Sequence, residues 1–124
     1  MKNIIIEGKS GSPSLHINEA DGFIEIKGTS KIKNPIDFYL DLVKWIYIFK
    51  PDSDEIKKFN IRLDSMDNSS ARWLFLIIKQ IEKIDDASTC TIINWYYKLK
   101  SSRIYSIGNR YQNTVGLPFN LITT

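Results

Sequence analysis

The sequence alternates between short apolar segments with a two-residue period and longer segments with a helical period. Three short segments, Asn3 to Ile6, Ser14 to Ile17 and Phe23 to Lys27, open the chain and are separated by loop-forming Gly, Ser, Pro and Asp residues. Each segment fits a β-strand. Because the links are short, neighbouring strands in this part are predicted to pair antiparallel.

Helices and strands alternate through the rest of the chain. Asn34 is a favoured N-cap and Pro35 is favoured at the first helical position, so a helix is predicted from there to about Phe49, ending before Pro51. The later segments are predicted as strand, polar turn, helix, strand, helix and strand at 58–63, 64–70, 71–84, 90–97, 101–113 and 118–122. The order β-β-β-α-β-α-β-α-β predicts an α/β sandwich with a mixed sheet and helices packed on it.

Composition agrees with one globular domain over residues 1–124. Apolar residues make up 43% of the chain and charged residues 25%, which excludes a disordered or collagen-like protein. Cys90 is the only cysteine, so no internal disulfide can form and a reducing compartment is expected. No apolar run is long enough for a signal peptide or a membrane span. We therefore expect a cytoplasmic protein without membrane contact.

The first predicted helix is apolar around most of its circumference. Its polar side chains, Asp37, Asp41 and Lys44, fall in one narrow stripe. The favoured interpretation is that the N-terminal strands and the C-terminal tail of the same chain cover the remainder. The alternatives are a partner protein or a second copy of the chain in a homodimer.

The residues required for catalysis or metal binding are scarce. His16 is the only histidine, and it lies in a predicted strand, where we expect it to face outward. One His and one Cys cannot form a structural zinc site. The segment Gly8-Lys9-Ser10-Gly11 does not match a phosphate-binding loop and precedes no helix. The sequence therefore predicts a protein that is not an enzyme and has no cofactor or metal.

The junction before the second predicted helix is the most informative segment. Asn68 is a good N-cap, and Ser69 and Ser70 lie in or beside the first helical turn, where free N–H groups favour anions. One interpretation is a simple cap. The other is a phosphoacceptor at Ser69 or Ser70, where about two negative charges would change the local surface. The candidate partner-binding residues around it are Asp67, Arg72, Trp73, Phe75 and Leu76.

Short motifs occur in order along the whole chain. They are Ile6-Glu7-Gly8, Ser12-Pro13, Ile26-Lys27-Gly28, Ser30, Asn34, Phe38-Tyr39, Asn68-Ser69-Ser70, Asn94-Trp95-Tyr96-Tyr97, Gly108, Tyr111 and Leu117-Pro118-Phe119. This set resembles the SiaC family of bacterial regulatory phosphoproteins. The Asn-Trp-Tyr-Tyr and Leu-Pro-Phe motifs are its most specific parts.

The resemblance implies a fold like that of STAS domains and anti-sigma-factor antagonists, which are α/β modules switched by phosphorylation. It also implies an adaptor that is controlled by a Ser/Thr kinase and a PP2C-type phosphatase. In the unphosphorylated form, such adaptors bind and activate a diguanylate cyclase, which raises cyclic di-GMP and favours aggregation or biofilm.

Two features depart from the family pattern. The phosphorylated Thr of the family falls on Asn68, which has no hydroxyl. Either the acceptor has moved to Ser69, or the position is no longer phosphorylated and Asn68 maintains an unphosphorylated surface. In addition, the family is usually acidic after its Trp-Tyr-Tyr motif, whereas Lys98, Lys100 and Arg103 follow here. This reversal favours a different partner.

The basic C-terminal third supports an alternative function. No Asp or Glu occurs after Asp86, and aromatic residues alternate with cations, as in proteins that bind single-stranded nucleic acid or nucleotides. The residues concerned are Trp95, Tyr96, Tyr97, Lys98, Lys100, Arg103, Tyr105, Arg110 and Tyr111. We favour a solvated basic face over this alternative, because four cations are few for a nucleic-acid surface.

Overall fold

The computed structural model describes residues 3–49, 57–85 and 90–124, which contain six strands and three helices. In chain order they are β1 Asn3–Ile6, β2 Ser14–Asn18, β3 Phe23–Ser30, α1 Pro35–Ile48, β4 Lys57–Met66, α2 Asn68–Ile84, β5 Thr91–Tyr97, α3 Arg103–Gln112 and β6 Phe119–Thr123. This order confirms the predicted β-β-β-α-β-α-β-α-β arrangement. Pro51, where the first helix was expected to be blocked, lies outside the described residues.

The six strands form one mixed sheet whose spatial order follows the sequence from β1 to β6. The pairs β1–β2 and β2–β3 are antiparallel, and the pairs from β3 to β6 are parallel. Each helix thus connects two neighbouring parallel strands. Right-handed crossovers between adjacent strands place all three helices on the same face of the sheet.

The core lies between this sheet face and the helices. Alternate strand residues such as Ile26, Ile61 and Trp95 point into it and are fully buried. The opposite face has a different chemistry. There Asn60, Asn94 and Asn120 form a hydrogen-bonded row with donor–acceptor distances of 2.9 and 3.0 Å. The fold is therefore a two-layer α/β sandwich with one covered and one open sheet face.

Helix α1 is covered by its own chain on one side only. Tyr39, Leu42 and Ile46 are buried, but Leu40 and Tyr47 are 47% and 54% exposed. The expectation that the N-terminal strands and the C-terminal tail cover the remainder of this helix was wrong. The tail forms β6 at the sheet edge opposite β1 and packs with α3 instead.

The predicted polar turn at 64–70 was also wrong. Strand β4 continues to Met66, which is buried and pairs with Ser30 of β3, and α2 begins two residues later at Asn68. The polar residues at 64–70 thus form the end of a strand and the first turn of a helix.

Across the described ranges, no helix has the length and apolar character needed to cross a membrane.

Candidate functional site

The candidate site is built where β4 passes directly into α2. The Asp67 N–H donates to the Ser30 carbonyl at 3.0 Å, which ties the junction to the end of β3. The Asp67 carboxylate accepts from the Ser70 N–H at 2.8 Å, so Asp67 is the N-cap. The prediction of Asn68 as the cap was therefore wrong. Asn68 is already the first helical residue.

Ser70 lies in a buried network of hydroxyl groups. Its Oγ donates to the Ser30 carbonyl at 2.8 Å and accepts from Ser30 Oγ at 2.7 Å. Because each hydroxyl has a single proton, the 2.6 Å bond between Ser30 Oγ and Tyr39 Oη must be donated by Tyr39. Burial raises the pKa of Tyr39 above its usual value. The network joins β3, α1 and α2.

This network corrects the prediction of Ser70 as a phosphoacceptor. Its side chain has no exposed surface, and its hydroxyl already uses its proton inside the core. A phosphate there would have to displace Ser30 and Tyr39. Ser69, one residue earlier, is exposed in the first turn of α2. Ser69 is thus the candidate acceptor whose hydroxyl faces solvent.

The side chain of Asn68 is held by α3. The Arg103 guanidinium donates to the Asn68 Oδ1 and to the Met66 carbonyl. The Asn68 amide oxygen is thus engaged within the chain. Arg103 therefore fixes the end of β4 and the start of α2 together.

The three apolar partner-binding candidates face different directions. Trp73 is half-buried and stacks on Tyr39 of α1, with ring centroids 6.2 Å apart. Phe75 is half-buried on the other side, 5.1 Å from the ring of Tyr111 in α3. Leu76 is 54% exposed. Of the three, Leu76 alone presents most of its side chain to solvent.

A cleft between α2 and α3 adjoins the site, and sequence reasoning did not identify it. Its volume is ≈ 620 Å³. Its lining residues are Asn68, Ala71, Arg72, Phe75, Arg103, Ser106, Ile107, Arg110, Tyr111 and Thr114. The acid-free segment after Asp86 was the signal that could have indicated it, but the pairing of α3 with α2 depends on the fold.

The aromatic residues proposed for nucleic-acid stacking are mostly structural. Trp95 has no exposed surface, Tyr97 and Tyr111 are also buried, and Trp95 Nε1 donates to the Ile104 carbonyl at 3.0 Å. Tyr96 lies on the open sheet face, where the Arg62 guanidinium covers its ring at 3.7 Å from the centroid. The buried rings are not available to stack on bases, and Arg62 occupies one face of Tyr96, which argues against the alternative function.

In the part of the chain that the structure describes, no group of three or more His, Cys, Asp or Glu side chains is placed to hold a metal ion. His16 lies on the open sheet face, as expected. Its Nε2 is 3.0 Å from the Asn3 Oδ1, and its ring packs edge-on against Phe23. These contacts indicate a structural role.

Comparison with known proteins identifies the family. The family described as SiaC family regulatory phosphoprotein matches residues 6–124. The chain belongs to the SiaC family. An uncharacterized protein of Pseudomonas aeruginosa strain UCBPP-PA14 is 18% identical over 119 residues, covering 96% of this chain and 94% of that protein. Family membership makes the chain a regulatory protein rather than an enzyme and confirms the resemblance found in its motifs.

Solved SiaC structures have the same fold. The crystal structure of apo-SiaC from Pseudomonas aeruginosa matches with a TM-score of 0.83 at 17% identity, covering 99% of this chain and 100% of that one. A second crystal structure contains the diguanylate cyclase SiaD of Pseudomonas aeruginosa in complex with its activator SiaC. It matches with a TM-score of 0.84 at 17% identity, covering 98% of this chain and 100% of that one. At this identity, the likeness establishes the α/β fold.

Proposed function

We propose that this SiaC family member is a single-domain cytoplasmic adaptor that binds and activates a diguanylate cyclase, under the control of a kinase and a PP2C-type phosphatase. Family membership and the complex of SiaC with the cyclase that it activates support the cyclase as partner. The kinase and the phosphatase are proposed from the phosphoprotein character of the family.

The exposed side of α2 is the proposed docking surface, formed by Asn68, Ser69, Arg72 and Leu76. One observation carries the proposal. Ser69 is exposed and lies on the same face of α2 as Leu76, an apolar side chain that is 54% exposed. A partner that covers Leu76 would also cover the Ser69 hydroxyl. A phosphate there would place about two negative charges in the contact and oppose docking.

Cyclase activation tests the docking surface. The cyclase from the same organism is assayed for cyclic di-GMP synthesis with the wild-type chain, Leu76→Asp and Leu99→Asp. Leu99 is 66% exposed and lies outside α2, so it is a matched control. We expect Leu76→Asp to lose most of the activation and Leu99→Asp to retain it. Equal activation by both variants would place the docking surface elsewhere.

Phosphorylation is tested separately. Mass spectrometry of the protein from its native host should find phosphate on Ser69, and Ser69→Asp should weaken cyclase binding. Ser10→Asp adds the same charge at an exposed loop position and serves as the control. Absence of phosphate under all growth conditions would remove the switch and leave the adaptor.

The second proposed function is self-association through the exposed side of α1. Ile36, Leu40 and Tyr47 are 52%, 47% and 54% exposed and recur at helical spacing, which supports a homodimer through this helix. Light scattering of the wild type and of Leu40→Lys tests it. A dimer that the substitution dissociates supports this proposal, and a wild-type monomer at all concentrations contradicts it.

A further inference from the structure

The cleft between α2 and α3 combines an apolar floor with a cationic rim. Ile107 and Tyr111 are buried at its base beside the half-buried Phe75. The exposed side chains of Arg72, Arg103 and Arg110 line its edges. The volume of ≈ 620 Å³ is enough for several side chains of a partner.

The positive charge of this rim is not neutralised from within the described ranges. None of the three guanidinium groups forms an ion pair with a carboxylate among residues 3–49, 57–85 and 90–124. The nearby acids are already engaged: Asp67 caps α2, and Glu82 pairs with Lys79 at 2.7 Å and accepts from the Gly116 N–H. The cleft therefore presents three cations around apolar surface.

We propose that the α2–α3 cleft binds an acidic, amphipathic segment of the protein partner. Its carboxylates pair with Arg72 and Arg110, Arg103 adds positive charge beside them, and an apolar side chain packs on Phe75 and Ile107. This inference rests on the proposed adaptor function and names the chemistry of its partner. Arginine favours such planar, paired recognition of carboxylates. A protein segment fits better than nucleic acid because Tyr111 is buried and the half-buried Phe75 ring is tilted by 51° against it, which suits an aliphatic side chain better than a stacked base.

The proposal also explains how phosphate on Ser69 would act. Ser69 and Arg72 are three residues apart on α2 and are therefore neighbours on the helix surface. A phosphate on Ser69 would pair with Arg72 and compete with the carboxylates of the partner. The modification would thus reduce affinity by occupying the charge that the acidic segment needs.

Peptide binding tests the cleft directly. The full chain is titrated with a synthetic amphipathic helix that carries Glu on one face and Leu beside it, and with the same peptide after Glu is replaced by Gln. We expect only the Glu peptide to bind, with affinity that falls as salt rises. Arg110→Glu and Arg72→Glu should each weaken it about tenfold or more, since each converts an attraction into a repulsion.

The control is Lys44→Glu, which makes the same charge change at an exposed position on α1 and should alter affinity less than about twofold. Circular dichroism establishes that each variant is folded. Equal binding of the Gln peptide, or an equal loss with Lys44→Glu, would overturn the proposal. Binding of a single-stranded RNA in place of the peptide, abolished by Arg110→Glu, would overturn it in favour of nucleic acid.

Cyclase binding separates this inference from the proposed function. Arg110 lies in α3, outside the docking surface on α2. If the wild-type chain binds the cyclase and Arg110→Glu binds it equally well, the cleft proposal fails and the adaptor function stands. If the wild-type chain does not bind the cyclase, the proposed function itself fails. Loss of binding with Arg110→Glu but not with Lys44→Glu supports both.

Discussion

The two flanks of α2 differ in how they contact the rest of the molecule. On the α1 side, Trp73 stacks on Tyr39, and the hydroxyls of Ser30, Tyr39 and Ser70 close a buried network. On the α3 side, the helices approach through Phe75 and Tyr111 at the base of an open cleft with an arginine rim. One flank is sealed and the other is accessible.

One short segment at the start of α2 combines a buried structural residue with a solvent-exposed one. Ser69 and Ser70 are adjacent in sequence, but successive helical residues point about 100° apart. Ser70 therefore enters the sealed flank while Ser69 faces solvent. The buried hydroxyl network ties α2 to β3 and α1, whereas Ser69 lies outside this network.

The largest loss of stability is expected at Gly108, where α3 packs against Trp95 of the sheet. Gly108 lies so close to the Trp95 indole that an added Cβ would be 2.5 Å from Cδ1 and Nε1. Gly108→Ala must push α3 away from the sheet, and we expect a loss of about 3 kcal/mol in the free energy of unfolding. Urea denaturation measures it. Asn109→Ala, at an exposed neighbouring position, should change stability by less than about 0.5 kcal/mol.

Gly108→Ala also tests whether the two flanks of α2 are independent. Displacement of α3 should disturb NMR signals around the cleft, including Phe75 and Tyr111, and leave those of Ser30 and Tyr39 near their wild-type positions. Equal disturbance on both sides of α2 would mean that the two flanks are not independent.

Next in size is the contrast between two neighbouring serines. Ser70→Ala leaves the buried Ser30 hydroxyl without its acceptor and removes one of the two hydrogen bonds to the Ser30 carbonyl, so we expect a loss of about 2 kcal/mol. Ser69→Ala should cost less than about 0.5 kcal/mol, because its side chain is exposed. Thermal unfolding of both variants measures the difference. Similar losses would show that Ser69 has a structural role too.

Tyr39→Phe is expected to cost about 1 kcal/mol at neutral pH, through loss of the hydrogen bond to Ser30. Burial raises the pKa of Tyr39, so the folded state favours the neutral phenol. The stabilisation is complete below the unfolded-state value of about 10 and is lost as pH rises through the folded-state pKa. The variant lacks this loss, so its deficit should shrink above about pH 10.

Denaturation at neutral and alkaline pH measures this effect. Tyr47→Phe is the control for an exposed phenol, whose hydroxyl accepts a solvent-accessible hydrogen bond from the Gln80 side chain at 2.9 Å. A deficit for Tyr39→Phe that stays constant up to alkaline pH would contradict the buried-network interpretation of the α1 flank.

The element order could be predicted from the sequence because it depends on local patterns. Alternation in 23–27 and the Asn34-Pro35 start each report on a few neighbouring residues. The start of α2 could not be placed, since Asp67, Asn68 and Ser69 are all good caps in isolation. Which one caps is decided by the pairing of Met66 with Ser30, a contact distant in sequence.

The candidate site was predictable in part for the same reason. Its location at the β4–α2 junction followed from the sequence and from the resemblance, and Ser69 and Leu76 are exposed there as the hypothesis requires. The burial of Ser70 depends on Tyr39 and Ser30, which lie in other elements. The cleft depends on Arg103 and Arg110 reaching α2, which only the tertiary fold determines.

The smallest expected effect concerns Asp67, which belongs to both the sealed and the exposed parts of the junction. Asp67→Asn keeps an acceptor for the Ser70 N–H and removes the negative charge, so stability should fall by only about 0.5 kcal/mol. If the arginine rim attracts an acidic partner, removal of this nearby negative charge should leave cyclase binding unchanged or strengthen it slightly. Isothermal titration with the cyclase measures the binding. A clear loss of affinity in a variant of nearly wild-type stability would instead make Asp67 a direct contact, and the docking surface would then be recognised by a basic partner.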